Sequence, residues 1–181
     1  GCFTSSECID LMKDGRKAGS KSTSFDTYVK KKRQERKAKR CLSLETYDKK
    51  LMWGKFVEHW IMYAKPELIG FEYTLSPNTT IEHPKFKGYF VGSRDGLNNK
   101  TNAVIDIKCP FTLDSFCDFA DCKTIDDVRS THKDGEKYYW QLVGNASIHG
   151  TNKAELIVFM PNEDQLQEIS LFAVNGTHDF N

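Results

Sequence analysis

The spacing of apolar residues changes along this chain, and that change limits the fold more than any other feature. Residues 43–64 carry the longest helical spacing, with Ser43 as a candidate N-cap and Pro66 just beyond the end. Shorter helical patterns cover residues 3–13 and 25–40. Further along, the pattern predicts short strands over 70–75, 88–93, 103–107, 154–160 and 168–174, with a helix over 137–148. Helices followed by strands with an inserted helix predict an α/β (α+β) fold, in which helices flank a central mixed β-sheet.

The length and composition fit one folded domain. A chain of 181 residues that is 39% hydrophobic can bury a core without covalent staples. We predict a single domain over 1–181, with a mainly helical part over 1–64, a sheet core over 70–160 and a C-terminal strand or tail over 161–181. No apolar run is long enough for a membrane span and no secretion leader opens the chain, so we expect a cytoplasmic protein.

The six cysteines show neither the CxxC spacing of a zinc site nor that of a redox pair. We therefore expect reduced thiols. Four Asn-x-Ser/Thr patterns leave a secreted, glycosylated protein with three disulfides as an alternative.

The charge is unevenly distributed. Residues 30–40 hold eight of the 26 basic residues and one of the 25 acidic residues, which leaves a net charge of −6 for the rest. Such a block either contacts phosphates or forms a solvated helix face. As a phosphate-binding segment it would bind DNA without reading sequence, and the candidate contacts at its start are Lys30, Lys31, Lys32 and Arg33.

Three carboxylates and a lysine form the candidate site. Asp106 and Lys108 are two apart on a predicted strand and share a face. A hairpin pairing 88–93 with 103–107, with its turn at Asn98–Lys100, would bring Asp95 beside them. Helical spacing places Glu58 on an apolar face, where a carboxylate needs a partner or a cation. Oxygen ligands of this kind suit Mg²⁺ or Mn²⁺ and not zinc.

Each of these residues also has an ordinary structural interpretation. A D-x-K pattern is often a surface ion pair, and Asp95-Gly96 is a common turn dipeptide. What favours a site is the strand itself, because charges at Asp106 and Lys108 on an otherwise apolar strand are costly without a purpose.

Four blocks resemble the phage lambda exonuclease family, a branch of the PD-(D/E)xK nucleases. They occur in the family's order: WGKFVE (53–58), SRDGL (93–97), DIKCPFTLDSF (106–116) and YYWQL (138–142). The opening FTSSECIDLM is similar to the family's T-A-S-E helix, and the resemblance covers about residues 1–160. It implies a restriction-endonuclease-like core.

The resemblance implies a role for each residue of the core. Asp95 and Asp106 would bind two metal ions, with Glu58 nearby and the Ile107 carbonyl completing the shell. Lys108 matches the catalytic lysine. Asp106 stands where this branch usually has glutamate, which is one methylene longer.

The resemblance also implies contacts to the DNA end. Gln141 matches a glutamine that positions the nucleophile or the end nucleotide, and Ser6, Lys49 and Ser93 fall where the family holds the 5′-phosphate. An arginine that helps hold this phosphate in the family would precede Gly1, which makes strict dependence on a 5′-phosphate doubtful here.

The leading hypothesis is a Mg²⁺-dependent deoxyribonuclease that digests linear duplex DNA from the 5′ end and leaves 3′ overhangs for recombination. Two Mg²⁺ ions are expected, and Mn²⁺ is a possible substitute. The resemblance further implies a phage origin, a homotrimeric ring and a single-strand-annealing recombinase as partner. The alternatives are a structure-selective or nicking endonuclease with the same core, and a DNA-end-binding protein without catalysis.

Overall fold

A computed structural model describes residues 1–17, 19–41, 48–76 and 79–175. Within these ranges the chain forms seven helices: α1 (Cys8–Met12), α2 (Thr23–Ala38), α3 (Lys49–Ala64), α4 (Leu113–Ala120), α5 (Ile125–Thr131), α6 (Gly135–His149) and α7 (Glu163–Asn175). The same ranges contain seven strands: β1 (Phe3–Thr4), β2 (Tyr73–Leu75), β3 (Thr80–Glu82), β4 (Phe90–Ser93), β5 (Gly96–Asn98), β6 (Ala103–Lys108) and β7 (Ala154–Val158).

The strands form two small mixed sheets, and the chain passes from one to the other between β4 and β5. The four-stranded sheet has the order β2–β5–β6–β7, with β6 antiparallel to β5 and parallel to β7. The three-stranded sheet has the order β1–β4–β3, with β1 parallel and β3 antiparallel to β4. The bend between Ser93 and Gly96 therefore places Asp95 where the two sheets are joined.

Strand β6 lies at the centre of the core. Ile105 and Ile107 are fully buried and pack with Met62 of α3. A second cluster joins Trp60 of the same helix to Ile169 of α7. Helix α3 is thereby fixed against the strand that carries Asp106 and Lys108.

Helix α6 holds the N-terminal segment beside β4. A Cβ added at Gly144 would lie 3.0 Å from the Ser5 Cβ, so only glycine allows this approach without a shift. Asn145, one residue further, donates from Nδ2 to the Ser93 carbonyl oxygen at 3.1 Å. These contacts bring Ser6 and Ser93 to one region of the molecule.

The structure confirms several predicted elements. The helices predicted over 25–40 and 137–148 are α2 and α6, and the strand predicted over 154–160 is β7. Helix α3 begins at Lys49, where the Asp48 side chain accepts a hydrogen bond from the Lys50 amide. The predicted cap Ser43 lies outside the described residues.

The strand predicted over 168–174 is wrong, because this segment belongs to α7. Asn162 and Gln165 exchange hydrogen bonds between side chain and backbone, at 2.9 Å and 2.8 Å, and this reciprocal pair starts a helix. Ile169 then packs against α3 at helical spacing. The β-branched and aromatic residues of the segment suggested a strand, but helix packing determines its structure.

The helix predicted over 3–13 is only partly correct. Phe3–Thr4 is a strand that pairs in parallel with β4, and Ser5–Glu7 forms a 3-10 turn before α1. Neither Thr4 before the turn nor Glu7 before α1 accepts a side-chain capping hydrogen bond. Pairing with β4 holds the segment extended, and a single sequence cannot show that pairing.

The predicted pairing of 88–93 with 103–107 is also wrong. β4 pairs with β1 and β3, while β5 is the hairpin partner of β6. The turn itself is as predicted, since Asn98 Oδ1 accepts from the amides of Lys100 and Thr101. Helices α4 and α5 and strand β3 were not predicted.

The six cysteines carry free thiols, contrary to the alternative with three disulfides. None of the helices formed by the described residues is both long and apolar enough to span a bilayer.

Candidate active site

A cavity of about 740 Å³ opens between α3, α6, the N-terminal segment and the ends of β4 and β6. Eight of the residues singled out from the sequence line it together: Ser6, Glu58, Ser93, Asp95, Asp106, Ile107, Lys108 and Gln141. Sequence positions spread over more than a hundred residues thus meet in one place. Lys49 and the basic residues 30–33 do not line the cavity.

Strand β6 presents two charged side chains to the cavity. Asp106 is buried, and its Oδ2 lies 2.5 Å from Lys108 Nζ. Gln141 of α6 donates from Nε2 to Asp106 Oδ1 at 2.6 Å. The carboxylate of Asp106 is therefore held from both sides, by a cation and by an amide.

Asp95 is locked onto the same strand by its backbone and its side chain. Its amide donates to the Ile105 carbonyl oxygen at 3.1 Å, and its Oδ2 accepts from the Ile107 amide at 2.6 Å. The sequence argument expected Asp95 beside Asp106 through a different strand pairing. The bend between β4 and β5 produces the same neighbourhood.

The carboxylates repel one another in this cavity. The pKa of Asp95 is raised to about 8: burial is the largest cause, the negative charges of Asp106 and Glu58 add to it, and the Ile107 amide and Lys108 oppose it. The pKa of Glu58 is raised to about 7: burial is the largest cause, Lys108 and Lys55 lower the value, and Asp106 raises it. Both carboxyls thus favour the protonated form more than ordinary carboxyls do.

Lys108 supplies positive charge among these groups. Burial alone would lower the pKa of Lys108, but the carboxylates of Asp106, Asp95 and Glu58 outweigh burial and raise it. The ammonium also lies 5.5 Å from the ring centre of Tyr138. Lys108 therefore favours its protonated form, in which the ammonium can donate hydrogen bonds.

The donor set has the chemistry of a Mg²⁺ site. Asp95, Asp106 and Glu58 offer hard carboxylate oxygens, the ligand type that Mg²⁺ prefers, and the raised pKa values of Asp95 and Glu58 reflect the crowding of these groups. In residues 1–17, 19–41, 48–76 and 79–175, no group of three or more His, Cys, Asp or Glu side chains is already placed to hold a metal. The carboxylate oxygens suit Mg²⁺. In this structure the cation paired with Asp106 is the ammonium of Lys108.

The expected 5′-phosphate residues separate into two groups. Ser6 and Ser93 lie on the cavity wall, where Ser6 Oγ is 3.3 Å from Thr4 Oγ1 and Ser93 Oγ is 3.0 Å from Thr80 Oγ1. Lys49 lies at the first position of α3, outside the cavity lining. This wall is therefore rich in hydroxyl groups.

The start of the basic block differs from the expectation. Lys32 is buried, and its Nζ lies 3.2 Å from Glu35 and 3.5 Å from Glu7. It packs between α2 and the N-terminal segment, and its ammonium is paired with carboxylates. Lys31 also lies 3.6 Å from Glu7, whereas Lys30 and Arg33 are exposed.

Three residues of the cavity were missed from the sequence. Lys55 precedes Glu58 by three residues on α3, and Lys137 precedes Gln141 by four on α6, so each shares a face with a predicted site residue. Both lysines are exposed, and neither forms an ion pair within the described part of the chain. Tyr138 lies against Lys108. Helical spacing from the predicted residues could have indicated all three.

The structure is a mixed α/β fold with mixed sheets flanked by helices, which confirms the predicted fold class. It is similar to the crystal structure of a phage-related exonuclease from Haemophilus somnus 129PT, solved at 2.15 Å resolution, with a TM-score of 0.65. The two chains are 13% identical, and the match covers 88% of this chain and 68% of that one. No protein-family model matches the sequence, and no curated protein matches it. At this identity the likeness establishes the fold alone.

Proposed function

We propose that the protein is a Mg²⁺-dependent deoxyribonuclease that hydrolyses phosphodiester bonds of linear duplex DNA. The observation that carries this proposal is the cavity in which a buried Asp106 is paired with Lys108 and is joined by two further carboxyl groups, Asp95 and Glu58, whose pKa values are raised. Crowded carboxylates beside a fixed lysine suit metal-assisted phosphate chemistry. At a site that served only the fold, the same crowding would lower stability without a benefit. The fold shared with a phage-related exonuclease agrees with the proposal.

Each side chain of the site has a distinct proposed role in hydrolysis. Asp95 and Asp106 would hold Mg²⁺ with Glu58 nearby and the Ile107 carbonyl as a further oxygen, and the ion would polarise a phosphate oxygen and acidify a bound water. Lys108 donates a hydrogen bond to the phosphate as negative charge builds on it. Gln141 fixes the orientation of Asp106 through the 2.6 Å hydrogen bond.

The direction of digestion is part of the same proposal. We propose 5′-to-3′ digestion that leaves 3′ overhangs for recombination, supported by the family resemblance and by the hydroxyl-rich wall of Ser6 and Ser93. The resemblance is also the support for a phage-encoded homotrimer that acts in the host cytoplasm with a single-strand-annealing recombinase. Two Mg²⁺ ions, replaceable by Mn²⁺, are proposed on the same ground.

End-labelled substrates test the proposal directly. Linear duplex DNA labelled at either the 5′ or the 3′ end is incubated with Mg²⁺ or EDTA, beside covalently closed circular DNA. We expect early loss of the 5′ label with Mg²⁺, no loss with EDTA, and an intact circle. Cleavage of the circle would instead indicate a nicking or structure-selective endonuclease. Binding to DNA ends without cleavage under any condition would indicate a non-catalytic end-binding protein.

The two exposed lysines of the cavity provide a second prediction. Lys55→Ala and Lys137→Ala are each expected to weaken duplex binding, because they remove a cation from the rim beside the acidic site. If each lysine contacts one phosphate, each substitution lowers the slope of log affinity against log salt by about 0.9. Fluorescence anisotropy in EDTA over a range of salt concentrations measures this slope. The control is Lys100→Ala in the β5–β6 turn, and an equal change in the control would contradict the assignment.

A further inference from the structure

The exposed part of the basic block faces an aromatic loop outside the catalytic cavity. Arg33, Arg36 and Lys37 recur at spacings of three and four on α2, so they share one face of the helix. All three are exposed, whereas Lys32 and Glu35 are turned into the protein. The basic block thus has an inner side that stabilises packing and an outer side that is exposed to solvent.

Arg36 joins this helix face to the loop between β3 and β4. Its guanidinium lies 4.0 Å from the ring centre of Tyr89. The same side chain donates to the carbonyl oxygens of Gly1, at 2.8 Å, and Gly88. The loop and the helix therefore form one continuous surface.

The loop presents its aromatic rings to solvent in a fixed arrangement. Phe86 is 59% exposed and Tyr89 is 57% exposed, and the amide of Tyr89 donates to the Phe86 carbonyl oxygen at 3.0 Å. His83 supports the loop from below: it is buried, lies 3.2 Å from Ser147 of α6 and packs 4.8 Å from the Phe86 ring. Phe86 consequently has one supported face and one free face.

The charged side chains of this surface are basic, and the exposed carboxylate of Glu82 lies just before the loop. Lys85, beside Phe86, is exposed, and the segments 36–41 and 83–90 contain no acidic residue. Exposed rings interleaved with cations are the combination that binds single-stranded nucleic acid, since bases stack on the rings while the cations contact phosphates. Paired bases in a duplex do not present their faces in this way. The surface therefore favours a single strand over a duplex.

We propose that this basic–aromatic surface, formed by Arg33, Arg36, Lys37, Lys85, Phe86 and Tyr89, binds single-stranded DNA. Strand β4 leads from Tyr89 to Ser93 on the cavity wall, a path of roughly 13 Å for extended backbone. The surface is thus placed to hold a strand that leaves or approaches the cavity. The proposal goes beyond the nuclease function and concerns residues outside the cavity lining.

Binding of oligothymidine in EDTA tests the proposal without any cleavage. The probe is a fluorescent strand of about 20 nucleotides, longer than the roughly 4–16 nucleotides that one single-strand-binding domain covers. Phe86→Leu keeps an apolar side chain but removes the ring, and we expect its affinity for the strand to fall about fivefold or more. Phe86→Trp restores a stacking ring and is expected to bind at least as tightly as the wild type. Lys85→Ala is expected to lower the salt slope by about 0.7.

The control and the competing outcomes are defined by the same assay. Phe71, which is 92% exposed on another loop, provides the matched control Phe71→Leu with unchanged binding expected. Equal affinities for Phe86→Leu and Phe71→Leu would overturn the proposal, as would equal losses for the single strand and for a duplex of the same length. If the wild type cleaves no DNA yet binds the strand through Phe86, the nuclease proposal fails and this one stands.

Discussion

A Lys108→Met variant is expected to lose duplex cleavage by about 100- to 1000-fold while it still binds DNA. Methionine keeps the unbranched apolar stem and removes only the ammonium that lies 2.5 Å from Asp106 Oδ2. A large loss is expected because, in the proposed mechanism, that ammonium donates a hydrogen bond to the phosphate as negative charge builds on it. Initial rates on end-labelled duplex with Mg²⁺ give the effect on cleavage, and anisotropy in EDTA gives the effect on binding.

Two further variants separate chemistry from folding. Lys108→Met leaves the buried Asp106 without its cation, so some loss of thermal stability is expected. Lys108→Arg keeps the charge and is expected to fold like the wild type but to cleave more slowly, because its guanidinium places the charge differently. Lys100→Met, in the β5–β6 turn, serves as the unaffected control. Full activity in Lys108→Met would refute the role assigned to this lysine.

The chemistry on strand β6 could be predicted because it depends on local spacing. Side chains two residues apart on a strand share a face, so Asp106 and Lys108 had to be neighbours wherever the strand was placed. Glu58 followed from its place on the apolar face of a predicted helix, and Gln141 followed from the family resemblance alone. The structure adds the contacts themselves, such as the hydrogen bond from Gln141 Nε2 to Asp106 Oδ1.

The remaining features depend on tertiary contacts that a single sequence does not show. The partner of β6 is β5 rather than β4, because the chain changes sheets at Asp95 within a few residues. Lys32 resembled its basic neighbours in the sequence, yet it packs inward because Glu7 and Glu35 meet it there. Ile169 lies in a helix because α3 offers an apolar surface at helical spacing. In each case contacts with other parts of the chain determine the local structure.

The crowded carboxylates of the cavity are expected to lower the stability of the fold and to favour function. Carboxylates that are crowded and buried destabilise the folded chain when they are charged, and the same crowding creates affinity for a divalent cation. A residue that is kept for packing should stabilise the fold when present. A residue that is kept for metal binding should do the opposite in the absence of metal. Asp95 is the sharpest case because its pKa is raised to about 8.

An Asp95→Asn variant is therefore expected to be more stable than the wild type without metal and at least about 100-fold less active with Mg²⁺. Asparagine can still accept the Ile107 amide hydrogen bond through its carbonyl oxygen, while the repulsion from Asp106 and Glu58 disappears. The raised pKa of Asp95 means that its contribution to the free energy of unfolding is present at low pH and is lost as the pH rises toward about 8. The stability gain of the variant should consequently grow with pH.

Thermal unfolding in EDTA at about pH 6 and about pH 8.5 measures this gain, and cleavage of linear duplex measures the loss of activity. The control is Asp121→Asn, an exposed carboxylate at the end of α4, which should change neither quantity. Added Mg²⁺ should raise the melting temperature of the wild type more than that of Asp95→Asn, because the variant has lost a ligand. A variant that melts lower at both pH values and keeps its activity would show that Asp95 serves the fold through its hydrogen bond to Ile107. Opposite signs for stability and activity would mark it as a residue kept for catalysis.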